Sequence, residues 1–133
     1  MHVVGCRLDG KAGADAIGVS SHGGGQVCGA LSSIKALPAI IDAVGDQIEV
    51  HMDGGIRSGQ DVLKALSLGA KGTYIGRSFV YGLGAMGQAG VTRALEVIHK
   101  ELDISMALCG HRHIDQLSRD TLLIPKDFQG DWA

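Results

Sequence analysis

Aromatic side chains are scarce, only 4% of the 133 residues, which removes the stacking platform that single-stranded nucleic-acid binders use. A basic stripe is missing as well. The formal net charge is −2 with no basic run of five or more, so a nucleic-acid partner is not expected. No apolar run approaches the ~20 residues of a membrane helix. The opening stretch MHVVGCRLDGKAGADA lacks an apolar core of about seven residues behind a basic start, so neither a span nor a signal peptide is expected. Cys6, Cys28 and Cys109 are odd in number and show no CxxC spacing. That pattern fits reduced thiols in a cytoplasmic protein. No G-x-S-x-G elbow occurs, and no G-x-G-x-x-G turn joins an expected strand to a helix. Hydrolase and Rossmann readings are therefore disfavoured. The CGHRH stretch sets Cys109, His111 and His113 close together without a fourth ligand at normal zinc spacing, and no metal site is expected there.

Glycine is what the chain has in excess: 21 residues against two prolines. The glycines fall in short clusters, as they do where backbone turns tightly or approaches a ligand. Two clusters stand out, VSSHGGGQ (residues 19–26) and MDGGIRSG (residues 52–59). Each follows a short β-prone run: DAIGVSS at 15–21 and QIEVHM at 47–52. Each precedes a helical pattern. In LSSIKALPAIIDAV (31–44) Leu31, Ile34, Leu37, Ile40, Ile41 and Val44 recur at helical spacing, and Pro38 is expected to start a second turn or kink the first. SGQDVLKALSLG (58–69) reads as a helix with Ser58 as N-cap and Gly69 as its stop. GTYIG (72–76) reads as a third strand ahead of Arg77 and a Gly/Ala-rich helix. Further on, residues 90–110 read as one long amphipathic helix or two shorter ones, residues 113–124 as another helical turn, and 125–133 as a loop-like tail.

Strand–helix alternation with short loops implies α/β architecture, with parallel strands joined by right-handed crossovers. Both glycine loops then sit at C-terminal strand ends, where such folds bind ligands. Three strands make a poor free-standing sheet because their edges invite pairing. The expected fold is part of a TIM (β/α)₈ barrel, about three strands of it. Its open edges call for a second copy or a complementing barrel half.

Asp53, Gly54, Gly55 and Arg57 lead from a strand toward a helix N-terminus, where backbone N–H groups attract anions. Arginine adds a fork that matches phosphate oxygens. One unit later Gly76 and Arg77 repeat the device, and barrels often bind phosphate after their last two strands. Surface ion pairs for Arg57 and Arg77 are the simpler alternative. His22 lies at the end of another strand on the same side, where an imidazole can take a proton near neutral pH.

These residues carry a resemblance. GADAIGVSSHGGGQ, MDGGIRSGQDVLKALSLGAKGTYIGRSFVYGL and GQAGV are similar to the C-terminal half of FMN-dependent 2-hydroxy acid dehydrogenases, the family of flavin L-lactate dehydrogenase and glycolate oxidase. The similarity runs from about Gly13 to Leu122 and leans toward the L-lactate branch. It implies a TIM barrel with FMN at the strand ends and oxidation of an L-2-hydroxy acid to the 2-oxo acid. By the same resemblance His22 is the proton acceptor and Ser20 a flavin contact. Asp53, Gly54, Gly55 and Arg57 form the ribityl and phosphate loop, and Gly76 and Arg77 the second phosphate pair. Hydride transfer and a carbanion route both stay open.

Two departures qualify that implication. The family motif S-N-H-G-G-R-Q appears here with Ser21 for asparagine and Gly25 for the arginine that grips the substrate carboxylate. A charged hydrogen bond of that kind is worth about 1.5–3 kcal/mol, one to two powers of ten in affinity. The family's flavin-side lysine also has no counterpart, since Lys11 is not at its position. An FMN- or phosphate-binding half-barrel without turnover, or an inactive fragment, therefore stands beside the enzyme reading.

Overall fold

The computed structural model describes residues 11–22, 31–126 and 128. The Gly25 departure, together with Cys6 and Cys28, lies outside the described residues.

Strand β1 (Ala16–Val19) pairs in parallel with β2 (Glu49–Met52), Ala16 opposite Glu49 and Val19 opposite Met52. β2 pairs in parallel with β3 (Gly72–Thr73), His51 opposite Gly72. The sheet order β1-β2-β3 follows the chain. Alternation along the strands turns Ile17, Val19, Val50 and Met52 to one face. There they form a core with Leu37, Ile40 and Val44 of helix α1 (Ser33–Val44) and with Ala65 of helix α2 (Gly59–Ser67) and Leu68 at its end. Helices on one face of a sheet wound in a single sense make an arc of a barrel. A doubly wound sheet would reverse its strand order and cover both faces. The expected architecture is what the chain forms.

The third strand is shorter than its sequence suggests. Tyr74 N–H still donates to the Met52 carbonyl at 3.0 Å, but regular pairing stops at Thr73. Pro38 lies inside α1, buried, and the helix continues through it as one element. The proline ring packs in the core although its missing N–H deprives the Ile34 carbonyl of an α-helical donor. Ser58 and Gly69 behave as read: the Ser58 hydroxyl accepts from Asp61 N–H, and Gly69 adopts φ +108° just beyond the helix.

Helix α3 (Arg77–Met86) and the single long helix α4 (Gln88–Leu108) follow, separated by Gly87. Gly82 and Gly90 bring their backbones together so closely that a Cβ on either would overlap the other's carbonyl. The string GLGAMG at 82–87 has the letter pattern of a dinucleotide fingerprint, but it lies within and at the end of α3 rather than between strand and helix. Two 3₁₀ turns, Ile114–Gln116 and Arg119–Thr121, replace the expected helical turn. Arg119 pairs with Asp42 of α1 and ties this last segment to the barrel wall. His111 spends its ring nitrogen on the Thr121 hydroxyl at 3.1 Å. Among the described residues no helix is long and apolar enough to cross a membrane.

Candidate functional site

Parallel strands in register finish on one edge of the sheet. Asp53 N–H donates to the Val19 carbonyl and Tyr74 N–H to the Met52 carbonyl, both at 3.0 Å. The three strand-end loops therefore start side by side. Between them lies a cavity of about 360 Å³ lined by residues from all three. Ser20 and His22 come from the first loop, residues 53–57 from the second, and residues 74–78 from the third. All eight residues singled out in the sequence for catalysis or phosphate line this one cavity. Ile56, Tyr74, Ile75 and Ser78 join them. Ser78 was legible as the second residue of a helix after a Gly-Arg pair; the side-chain direction of Tyr74 depends on sheet register.

His22 is the one non-glycine residue with positive φ among those described, at +48°. An L-residue in this region costs about 1–2 kcal/mol, so the surrounding contacts must hold it there. Ser20 supplies one: its hydroxyl accepts from His22 N–H at 3.0 Å. The imidazole is left exposed on the cavity wall. Gly54 and Gly55 have φ +81° and +93°. A Cβ on Gly54 would lie 2.8 Å from the Ser21 hydroxyl and 3.0 Å from that of Ser33. At Gly55 and Gly76 a Cβ would meet nothing within 4 Å. Small residues thus close the space behind Gly54 while the backbone beside Gly55 and Gly76 stays open. Arg57 and Arg77, both exposed, flank that opening.

One expectation changes in detail. The second loop leads to the N-terminus of α2, yet that terminus is already filled. The Asp61 carboxylate accepts from Arg57 N–H and Ser58 N–H at 3.1 Å each, and from the Ser58 hydroxyl at 2.9 Å. Glu101, from α4, accepts from Gly59 N–H at 2.9 Å. By contrast α3 begins at Arg77 with no side-chain cap. Phe79 N–H turns back onto the Gly76 carbonyl at 3.2 Å, whereas the Arg77 and Ser78 N–H groups have no acceptor within the helix and can meet an anion in the cavity. Glycine-edged backbone, an uncapped helix start and two guanidinium groups fit a phosphate monoester such as the end of FMN.

A larger cavity of about 560 Å³ lies among α1, α2, α4 and the C-terminal segment, with Leu63, Leu68, Leu108 and Phe128 on its wall and the exposed, free Cys109 at its edge. None of the strand-end loops contributes to it.

The fold is an arc of a (β/α)₈ barrel, with a glycine- and arginine-lined cavity at its strand ends. The sequence pattern of FMN-dependent dehydrogenases matches residues 1–124, and the chain belongs to that family. It is 55% identical over 111 residues to an L-lactate dehydrogenase of Azorhizobium caulinodans, covering 84% of this chain and 29% of that protein. It is 48% identical over 120 residues to a pre-mycofactocin synthase of Mycobacterium tuberculosis, covering 90% and 30%. A mandelate oxidase variant solved with an FMN monooxide adduct superimposes with TM-score 0.86 at 43% identity, over 90% of this chain and 38% of that one. The chain thus spans about a third of the length of these relatives.

Proposed function

We propose that the chain supplies the phosphate-holding and proton-accepting part of an FMN-dependent enzyme that oxidises an L-2-hydroxy acid, L-lactate-like, to the 2-oxo acid. The carrying observation is the convergence of Ser20, His22, residues 53–57 and residues 76–78 on one cavity. Arg57, Arg77 and the uncapped start of α3 hold the phosphate. Gly54 and Gly55 let the rest of the cofactor run close along the second strand end. When bound, FMN supplies the acceptor for the two electrons lost as the alcohol carbon becomes a carbonyl. An imidazole nitrogen of His22 takes the substrate proton, and Ser20 keeps that ring facing the cavity. The protein is assigned to the reducing cytoplasm, in keeping with the free Cys109 thiol.

The relatives named as L-lactate dehydrogenase, pre-mycofactocin synthase and mandelate oxidase act on different molecules, and all resemble the same third of the barrel. We assign the choice of substrate side chain to parts of the enzyme beyond this third of the barrel. A second reading, FMN or phosphate binding without turnover, is favoured by Gly25 standing where the family has arginine and by Lys11 being off the family position. The inner face of the sheet, uncovered among the described residues, takes a complementing barrel portion or a second copy. Calorimetric titration with FMN tests the shared part of both readings. Binding that weakens in Arg57→Ala and Arg77→Ala is expected; no heat at millimolar FMN would sink it. Dye reduction with L-lactate separates the readings. A negligible rate is expected from this chain alone. A rate restored by the N-terminal portion of a homologue, and abolished by His22→Ala, would favour the enzyme.

A further inference from the structure

The face of the sheet turned away from the helices carries an ordered chain of polar groups that neither phosphate nor proton transfer uses. Glu49 and His51 share that face by strand alternation, and His51 sits between Gly18 of β1 and Gly72 of β3. Gly72 leaves room for the imidazole, since even a Cβ there would lie 3.4 Å from His51 Nδ1. The ring thereby reaches along β3. His51 Nε2 lies 3.2 Å from a Glu49 carboxylate oxygen, and His51 Nδ1 lies 2.8 Å from the Tyr74 hydroxyl. Tyr74 in turn lines the strand-end cavity.

With the imidazole neutral, hydrogen-bond chemistry fixes the direction of this chain. A carboxylate only accepts, so the proton between Glu49 and His51 belongs to His51 Nε2. In the neutral ring Nδ1 is then an acceptor, and the Tyr74 hydroxyl must donate to it. Its proton committed, the Tyr74 oxygen keeps only acceptor capacity for a ligand in the cavity that Tyr74 lines. It suits a ligand hydroxyl and is poorly suited to a carboxylate or phosphate oxygen. We infer that Tyr74 is a ligand contact that recognises a hydroxyl donor on the molecule bound in the cavity, with His51 and Glu49 as positioning residues that hold its proton away. The donor hydroxyl belongs either to the ribityl chain of FMN or to the 2-hydroxy acid. The inference rests on the reading of the cavity given above.

The test uses the full chain with inorganic phosphate and with FMN as separate probes. Tyr74→Phe keeps the ring and removes the oxygen. A ribityl contact predicts FMN affinity about threefold to tenfold lower with phosphate affinity unchanged. A substrate contact predicts unchanged FMN affinity but a similar loss in the L-lactate concentration dependence of flavin reduction once the N-terminal portion of a homologue completes the barrel. His51→Leu and Glu49→Ala should each reproduce part of the loss and leave phosphate binding intact, whereas damage to the fold would lower both affinities together. Long-range proton–nitrogen NMR of the ligand-free chain gives a second readout. His51 should be the Nε2–H tautomer, and Glu49→Ala should mix the tautomers. A His51 found as the Nδ1–H tautomer, or Tyr74→Phe without effect on either FMN or lactate, would overturn the inference while leaving the cavity reading in place. A wild-type chain that binds neither phosphate nor FMN would overturn both.

Discussion

Two helices begin after a Gly/Arg strand end, and in sequence they look like copies of one device. Helix α2 starts behind Gly54, Gly55 and Arg57; α3 starts behind Gly76 and Arg77. Their N-termini serve opposite ends. The first is closed by protein carboxylates, Asp61 from its own first turn and Glu101 from α4. The second has no cap. A capped terminus satisfies its donors and stabilises the fold; an uncapped one holds its donors for a ligand. On the proposed function, stability and binding fall to different helix ends of one cavity, and substitutions should separate them.

The largest effect is expected at Gly59, the first residue of α2. A Cβ there would overlap the α4 backbone at Glu101 and Leu102. Backbone cannot yield as a flexible side chain does, so Gly59→Ala should cost about 3 kcal/mol, read as a lowered midpoint of urea unfolding. A melting curve like that of wild type would show that α2 and α4 are not packed as described. Gly54→Ala comes next. Its φ of +81° penalises any L-residue by about 1–2 kcal/mol, and the Ser21 and Ser33 hydroxyls crowd the new methyl. Both stability and FMN binding should fall, which distinguishes this loop from Gly59, where the damage starts at a helix contact. Asp61→Ala removes the capping box and should cost about 1 kcal/mol without lowering phosphate affinity. A drop in that affinity would return the anion site to α2. The smallest stability change belongs to Arg77→Ala. Arg77 is exposed and should stay within about 0.5 kcal/mol of wild type, while phosphate affinity falls about tenfold.

Local signals were the legible ones. Ser58 as cap, Gly69 as stop and the first two strands were readable because each depends on neighbours a few residues away. That the eight candidate residues would line one cavity was readable because strand-end loops of a parallel sheet must share an edge. Glu101 was invisible: its carboxylate reaches Gly59 across 42 residues of sequence, and nothing local marks it. The length of β3 was overread because the β-prone letters of GTYIG continue past Thr73, where regular pairing ends, up to the start of α3. Pro38 was expected to start a second turn or kink the first, yet one helix runs through it with its ring buried; propensity weighs the lost hydrogen bond and not that burial. The spacing of Glu49 and His51 puts them on one face by period two, but their link to Tyr74 exists only through the register of β2 against β3.

The most direct test of the two unlike helix ends is a titration of the full ¹⁵N-labelled chain with inorganic phosphate, followed by amide chemical shifts. Shifts concentrated at Gly55, Gly76, Arg77 and Ser78, with Gly59, Gln60 and Asp61 unmoved, are the predicted result. Shifts centred on residues 59–61, or none at any of these amides at millimolar phosphate, would contradict the account.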